Sequence, residues 1–174
     1  VGTAIVTYTI SDGLGGFSTA IATIIIAPVN DAPNVTPLPN RANVDGATVS
    51  APAGSFFSDI DGGPLTFSAT NLPDGLSINT TTGEISGTLT ANASQFSGGL
   101  YPVTVTANDG AGGTTSVTFF WNVTNPGPTA TDDVATTTED TAVPITVLSN
   151  DNDPDGDVLT ITTASAPNGT VVIG

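Results

Sequence analysis

The chain has 174 residues, enough for one or two modest domains, and sets 16 Asp and Glu against a single Lys or Arg, for a formal net charge of -15. With Arg41 as its only basic side chain it lacks the cationic surface that nucleic acid or an anionic membrane requires. It has no His and no Cys, which excludes Ser-His and Cys-His nucleophiles, thiolate or imidazole zinc sites and disulfides, so a bound metal must be a hard cation held by oxygen.

Twenty Gly, 13 Pro and frequent Thr disfavour long helices. In chain order, alternating β-branched and apolar residues between Gly, Pro, Asn or Asp turns predict strands over residues 5–10, 18–26, 65–69, 84–89, 103–107, 115–123, 145–148, 158–163 and 170–173. The longest apolar stretch, residues 21–29, is interrupted by Thr23 and Pro28 and falls short of the ~20 residues of a membrane span. No charged and apolar signal segment opens the sequence, so the address of an exported parent would lie outside it. Glycine-rich stretches 13–16 and 110–113 each join two alternating strands, which makes them hairpin turns and not phosphate loops. Within the strand at 115–123, alternation sends Phe119 and Trp121 to one face, the core side, and Phe120 to the other.

The sequence repeats itself. Val6-Thr7-Tyr8-Thr9-Ile10-Ser11-Asp12-Gly13 aligns with Val103-Thr104-Val105-Thr106-Ala107-Asn108-Asp109-Gly110, 97 residues later. Asp59-Ile60-Asp61-Gly62 aligns with Asp153-Pro154-Asp155-Gly156, 94 residues later. Two motifs with nearly one period imply tandem modules of ~95 residues, and short strands at that density predict immunoglobulin-like antiparallel β-sandwiches. Boundaries fall in the Pro-rich stretches 27–33 and 125–128. Residues 1–30 then read as the C-terminal part of one module, 31–127 as a complete module and 128–174 as the N-terminal part of a third.

Asp59, Asp61, Asp109, Asp151, Asp153, Asp155 and Asp157 crowd into turns. A lone Asp-Gly is an ordinary turn. Four carboxylates within residues 151–157 repel one another unless a cation neutralises them, and hard calcium takes six to eight oxygen ligands. An EF-hand does not fit, because position twelve of that loop is Thr162 in place of Glu and neither flank reads as a helix. Paired carboxylates could in principle run glycoside hydrolysis, but these sit on neighbouring turn positions with no legible base, nucleophile or oxyanion arrangement, so the chain is not expected to be an enzyme.

The segments Phe56-Phe57-Ser58-Asp59-Ile60-Asp61, Leu72-Pro73-Asp74-Gly75-Leu76 and Thr82-Gly83-Glu84-Ile85-Ser86-Gly87 resemble the dystroglycan-type cadherin domain, also called the putative Ig domain. The closing Asn150-Asp151-Asn152-Asp153-Pro154-Asp155-Gly156-Asp157 and the opening Val29-Asn30-Asp31-Ala32-Pro33 are similar to tandem cadherin-like repeats of bacterial adhesins. That resemblance implies calcium at module junctions. By position the first junction would use Asn30, Asp31, Asp59, Asp61 and Asp109, and the second Asn125, Asp153 and Asp155 with Asp132 or Asp133. Asn30 and Asp31 lie in the linker itself, so calcium there would tie linker to module. The second linker offers Asn125 and two prolines, which makes its site more local to residues 151–157.

The expected function is a calcium-stiffened structural repeat of a large extracellular or surface-anchored bacterial adhesin. Its partners would be neighbouring repeats of the same chain, with cell-surface carbohydrate or protein contacted by other domains, and neither nucleic acid nor membrane insertion is expected. The alternatives are a carbohydrate-binding accessory module of an extracellular polysaccharide-degrading enzyme and a homophilic contact domain. Flanking sequence separates the first two, since further repeats favour the adhesin and an adjoining catalytic domain the accessory module.

Overall fold

The computed structural model describes residues 2–174, so Val1, the first residue of the expected opening unit, lies outside the described residues. Strands β1 (Gly2–Ser11) and β2 (Phe17–Ile26) pair antiparallel from Gly2 opposite Ile26 to Ser11 opposite Phe17. Neither face of this hairpin is buried; Ile5, Tyr8, Phe17 and Ile25 are all exposed.

Between the two Pro-rich stretches lie β3 (Asn34–Val35), β4 (Arg41–Val44), β5 (Thr48–Pro52), β6 (Phe57–Ser58), β7 (Thr66–Thr70), β8 (Leu76–Ile78), β9 (Glu84–Thr88), β10 (Leu100–Asn108) and β11 (Thr114–Thr124). Short 3-10 segments at Ala53–Phe56 and Ala93–Gly99 link them. One sheet runs β4-β11-β10-β7 and the other β5-β9-β8, with β3 and β6 paired beside them. All pairings are antiparallel except β4 with β11, which run parallel from Arg41 opposite Trp121 to Val44 opposite Thr124. Residues 34–124 thus form a two-sheet β-sandwich.

Alternation builds its core. From β10 come Tyr101, Val103, Val105 and Ala107, from β11 Phe119, Trp121 and Val123, and against them lie Val49, Ala51 and Ile85 of the second sheet. Phe119 and Trp121 are buried and Phe120 exposed, as alternation requires. The Tyr101 hydroxyl, buried at the start of β10, donates to the Ala93 carbonyl and pins the preceding crossover in the manner of a tyrosine corner. The Pro-Asp-Gly turn before β8 has a steric cause: Gly75 sits at φ 93, and a Cβ there would lie 1.9 Å from the Thr88 carbonyl oxygen.

Residues 125–174 hold turns and one isolated bridge, Thr129 to Asn152, without a strand among them. The strands expected at 145–148, 158–163 and 170–173 do not form. In the middle unit β7 depends on β10, and β5 and β8 depend on β9, whereas no such partners for the closing segment occur among the described residues. β-Branched content supplies strand preference, but the ladder needs a second strand.

Among the described residues, every buried hydrophobic one lies from Val49 to Val123. Amide exchange should follow this: β9, β10 and β11 should be protected on the order of 1,000-fold more than β1 and β2, whose ladder has no buried face. Equal protection measured by hydrogen exchange mass spectrometry would contradict that distribution.

Candidate metal centre

The repeated motifs fold into repeated turns. Asp12 Oδ1 accepts from the backbone N–H of Leu14 at 2.8 Å and of Gly16 at 2.9 Å. At the matching position Asp109 Oδ1 accepts from Ala111 at 2.7 Å and Gly113 at 2.9 Å. Gly13 and Gly110 take φ 73 and 75, and these hairpins need no ligand beyond their own aspartate. The Asp-x-Asp-Gly turns also match: Asp59 Oδ1 accepts from the Asp61 N–H at 2.7 Å, and Asp153 Oδ1 from the Asp155 N–H at 3.2 Å.

At the first junction, protein hydrogen bonds join linker to module. The Asn30 amide donates to Asp109 Oδ2 at 2.8 Å, and the Asp31 backbone N–H donates to Asp61 Oδ2 at 2.8 Å. The Asn30 bond, followed by the N–H groups of Ala111 and Gly113, holds the Asp109 carboxyl below the usual carboxylate range. Asp59 Oδ2 is buried without a hydrogen-bond partner. Asn30, Asp31, Asp59, Asp61 and Asp109 are thus brought to one end of the sandwich, where Asp59 Oδ2 is the one buried carboxylate oxygen left without a partner.

The closing segment carries a tighter cluster. Asp153, Asp155 and Asp157 each offer a carboxylate oxygen within 4.8 Å of the others, the one such acidic group among the described residues. Asp153 is buried, and both oxygens of Asp155 are enclosed with no donor to satisfy them. Asp153 Oδ1 also takes the Asp157 N–H at 3.3 Å. The Asp155 carboxyl is pushed up to about 6, chiefly because a proton shared with Asp153 suits the pair better than two charges, with desolvation and the charges of Asp153 and Asp157 adding to it. The same shared proton, followed by backbone N–H groups, lowers Asp153. Three clustered carboxylates, two orphaned enclosed oxygens and no nitrogen or sulfur donor fit a hard divalent cation such as calcium.

Asp151 stands apart, accepting from the Thr131 N–H at 2.7 Å and so bracing the Thr129–Asn152 bridge. Asn150 donates to the Asp132 carbonyl at 3.4 Å, and the Asn125 amide reaches the Pro126 carbonyl at 3.1 Å. One acidic residue without a sequence signal emerges: Asp45, exposed to only 3%, with Oδ2 unpartnered.

Proton competition gives a prediction. A cation must displace the proton shared by Asp153 and Asp155, so calcium affinity at this cluster should be roughly tenfold lower at pH 5 than at pH 7.5 and level off above about pH 7. Without calcium the sign reverses: a raised carboxyl costs local stability as pH climbs from its ordinary 3.8 through about 6. Calcium titrations at the two pH values check the first statement, and an affinity independent of pH would contradict it.

Comparison with known proteins gives two family matches: the family described as "Putative Ig domain" over residues 32–124 and that described as "Bacterial Ig domain" over residues 125–174. Both describe Ig modules, and no catalytic family is indicated. A search of curated proteins finds no match. Among solved structures, mouse cadherin-23 EC22-24 is 19% identical with a TM-score of 0.51, the match covering 71% of this chain and 42% of that one. The human desmocollin-1 ectodomain is 15% identical with a TM-score of 0.43, covering 80% and 30%. An endo-fucoidan hydrolase of glycoside hydrolase family 107 is 24% identical with a TM-score of 0.40, covering 71% and 19%. The chain spans less than half the length of each of these structures, and the cadherin-23 match carries the fold.

Proposed function

Because this chain belongs to the "Putative Ig domain" family, with a bacterial Ig module following it, we propose that it is a structural repeat segment of a large secreted or surface-anchored bacterial adhesin, stiffened by calcium where modules meet. The observation that carries this reading is the Asp153-Asp155-Asp157 cluster with its unsatisfied oxygens, next to the linker between two modules. We set the module limits at 1–30, 31–127 and 128–174, supported by the Pro-rich linkers and the confinement of the core to the middle unit. Asp153, Asp155 and Asp157 would hold calcium at the second junction, and Asn30, Asp31, Asp59, Asp61 and Asp109 at the first. Bound calcium supplies the positive charge that this chain lacks.

The chain's own contribution is position. The Asp-x-Asp-Gly turns bring carboxylates to the end of a module, and the proline linkers shorten the distance over which neighbouring modules can swing. In the second reading, an accessory module touching carbohydrate, exposed Phe120 beside Pro102 on the outer face would be the contact. Small-angle scattering of the whole chain tests the first reading: calcium should give a longer, narrower distance distribution than chelator, and superimposable curves would refute calcium stiffening.

The two residues of the first linker should differ on mutation. Asn30→Ala removes a side-chain donor to Asp109 and should speed amide exchange in residues 30–33 and 109–113 by roughly tenfold. Asp31→Ala leaves its backbone N–H to Asp61 in place and, in chelator, should change exchange little. Hydrogen exchange of both variants in chelator separates them, and identical behaviour would contradict the assignment of the tie to Asn30.

A further inference from the structure

Strands β1 and β2 form a ladder with two exposed faces and, among the described residues, two unpaired edges. The sequence repeat says what such a hairpin is built to meet. A shift of 97 carries it onto β10 and β11 without a slip in pairing: Thr3 opposite Ile25 matches Leu100 opposite Asn122, and Ser11 opposite Phe17 matches Asn108 opposite Thr114. The same shift fixes which face corresponds to a core. Val6, Tyr8, Ile10 and Ile24 occupy the places of Val103, Val105, Ala107 and Trp121, which are buried, yet all four are exposed in the hairpin.

The closing segment carries the complementary strands. The shift of 94 that aligns the Asp-x-Asp-Gly turns takes β4 onto residues 135–138 and β7 onto residues 160–164. In the middle module β4 and β7 flank β11 and β10 and complete the larger sheet. The hairpin therefore holds the central pair of such a sheet and the closing segment its two outer strands, which do not form in the free chain. Val143 and Ile145, at the places of Val49 and Ala51, supply an apolar layer to face it, and both are exposed. Counterparts of residues 81–97, which include β9, occur in neither part, so it is the larger sheet that the two can complete. Residues 2–26 carry a single carboxylate, Asp12, and so offer the acidic closing segment little repulsion.

We propose that the hairpin docks the closing segment of a second copy of this chain, residues 135–138 adding beside β2 and residues 160–164 beside β1, with Val6, Tyr8, Ile10 and Ile24 on the face that becomes buried. By the pairing of Ala107 with Phe67 and of Thr104 with Thr70, Ile10 then stands opposite Ile161 and Thr7 opposite Ala164. The two parts leave the middle sandwich from opposite ends of β11, a strand roughly 35 Å long: Thr115 Oγ1 donates to the Pro33 carbonyl at the first linker, and Thr124 precedes the second. A contact between different copies is therefore head to tail, and it propagates instead of closing on a dimer. This rests on the reading of residues 1–30 and 128–174 as parts of modules of one kind.

Because the chain has no cysteine, cross-linking reads this register directly. Full chains carrying Thr7→Cys and Ala164→Cys, mixed at about 500 μM and oxidised, should give the mixed disulfide dimer at least about tenfold in excess over either homodimer, since facing residues on paired strands lie within disulfide reach. Sedimentation of the parent at that concentration should show species larger than a dimer that dissociate on dilution, so the dilute chain keeps an unprotected hairpin. Ile24→Asp places a charge on the docking face and should weaken association at least about tenfold, whereas Ile25→Asp, on the opposite face, should leave it within about twofold. Equal effects of the two, or an excess of Thr7→Cys homodimers, would mean that hairpins meet one another and would overturn the inference. A tandem fusion, with a short flexible linker joining residue 174 of one copy to residue 2 of the next, raises the effective concentration to the millimolar range and separates the remaining outcomes. If strands form at residues 160–164 in the fusion while separate chains stay monomeric at about 500 μM, the inference falls and the module reading stands. If they form in neither, the module reading falls and takes the inference with it.

Discussion

Replacing Asp153, Asp155 and Asp157 together by Asn should abolish the calcium response of residues 151–159, with affinity at that site reduced about 100-fold or more. The cause is charge. Neutral amides keep comparable shape and oxygen count, but calcium selects anionic oxygen, and these three side chains are the cluster the structure brings within 4.8 Å. A second consequence distinguishes a cation site from a decorative acidic turn. In chelator the triple variant should be more stable locally than the parent above about pH 6, because the parent there loses the proton that Asp155 shares with Asp153 and keeps enclosed, mutually repelling charges that the amides lack. Amide shifts of residues 151–159 followed by NMR during a calcium titration report both effects. Unchanged calcium-dependent shifts in the triple variant would show that the cluster holds no cation.

The sandwich was legible in the sequence where alternation is long and both partners are present. β10 and β11 carry it over 9 and 11 residues and form the spine of the larger sheet. β3, β6 and β8 were not legible, since two or three residues cannot display a period and these strands exist only because neighbours offer an edge. The closing segment fails in the opposite way: its β-branched runs have strand preference without a partner. In the candidate site, the density of aspartate at 151–157 and the doubled Asp-x-Asp-Gly turn could be read directly. Asp45, outside that cluster, could not be singled out, because Asp45-Gly46 looks like Asp12-Gly13 or Asp74-Gly75, and burial alone sets it apart. The tie of Asp31 to Asp61 was hidden for another reason, since it runs through a backbone N–H that any residue except proline would supply.

Trp121→Ala should be the most damaging single change to the middle module, lowering its stability by about 3 to 5 kcal/mol. Trp121 is fully buried between the sheets, packs against Phe119 at a ring distance of 5.9 Å, and donates from Nε1 to Asn43 Oδ1 at 3.0 Å. Truncation therefore leaves a large cavity, an unpaired amide oxygen on β4, and Arg41 without the ring it covers. For a domain of this size, with stability of about 5 to 15 kcal/mol, the melting temperature should fall on the order of 20 °C. Phe120→Ala, one residue away on the exposed face, should shift it by only a few degrees, about what a surface truncation costs. Thermal denaturation of the two variants checks the pair, and similar losses from both would contradict the inward and outward assignment of these neighbouring rings.

The measurement that bears most directly on a calcium site at the second junction is a crystal structure of the whole chain grown with millimolar calcium and read by anomalous scattering. An anomalous peak bounded by Asp153, Asp155 and Asp157, with oxygen distances of about 2.3 to 2.6 Å, is the expected result. Water alone at that position, with the three aspartates turned to solvent, would contradict it.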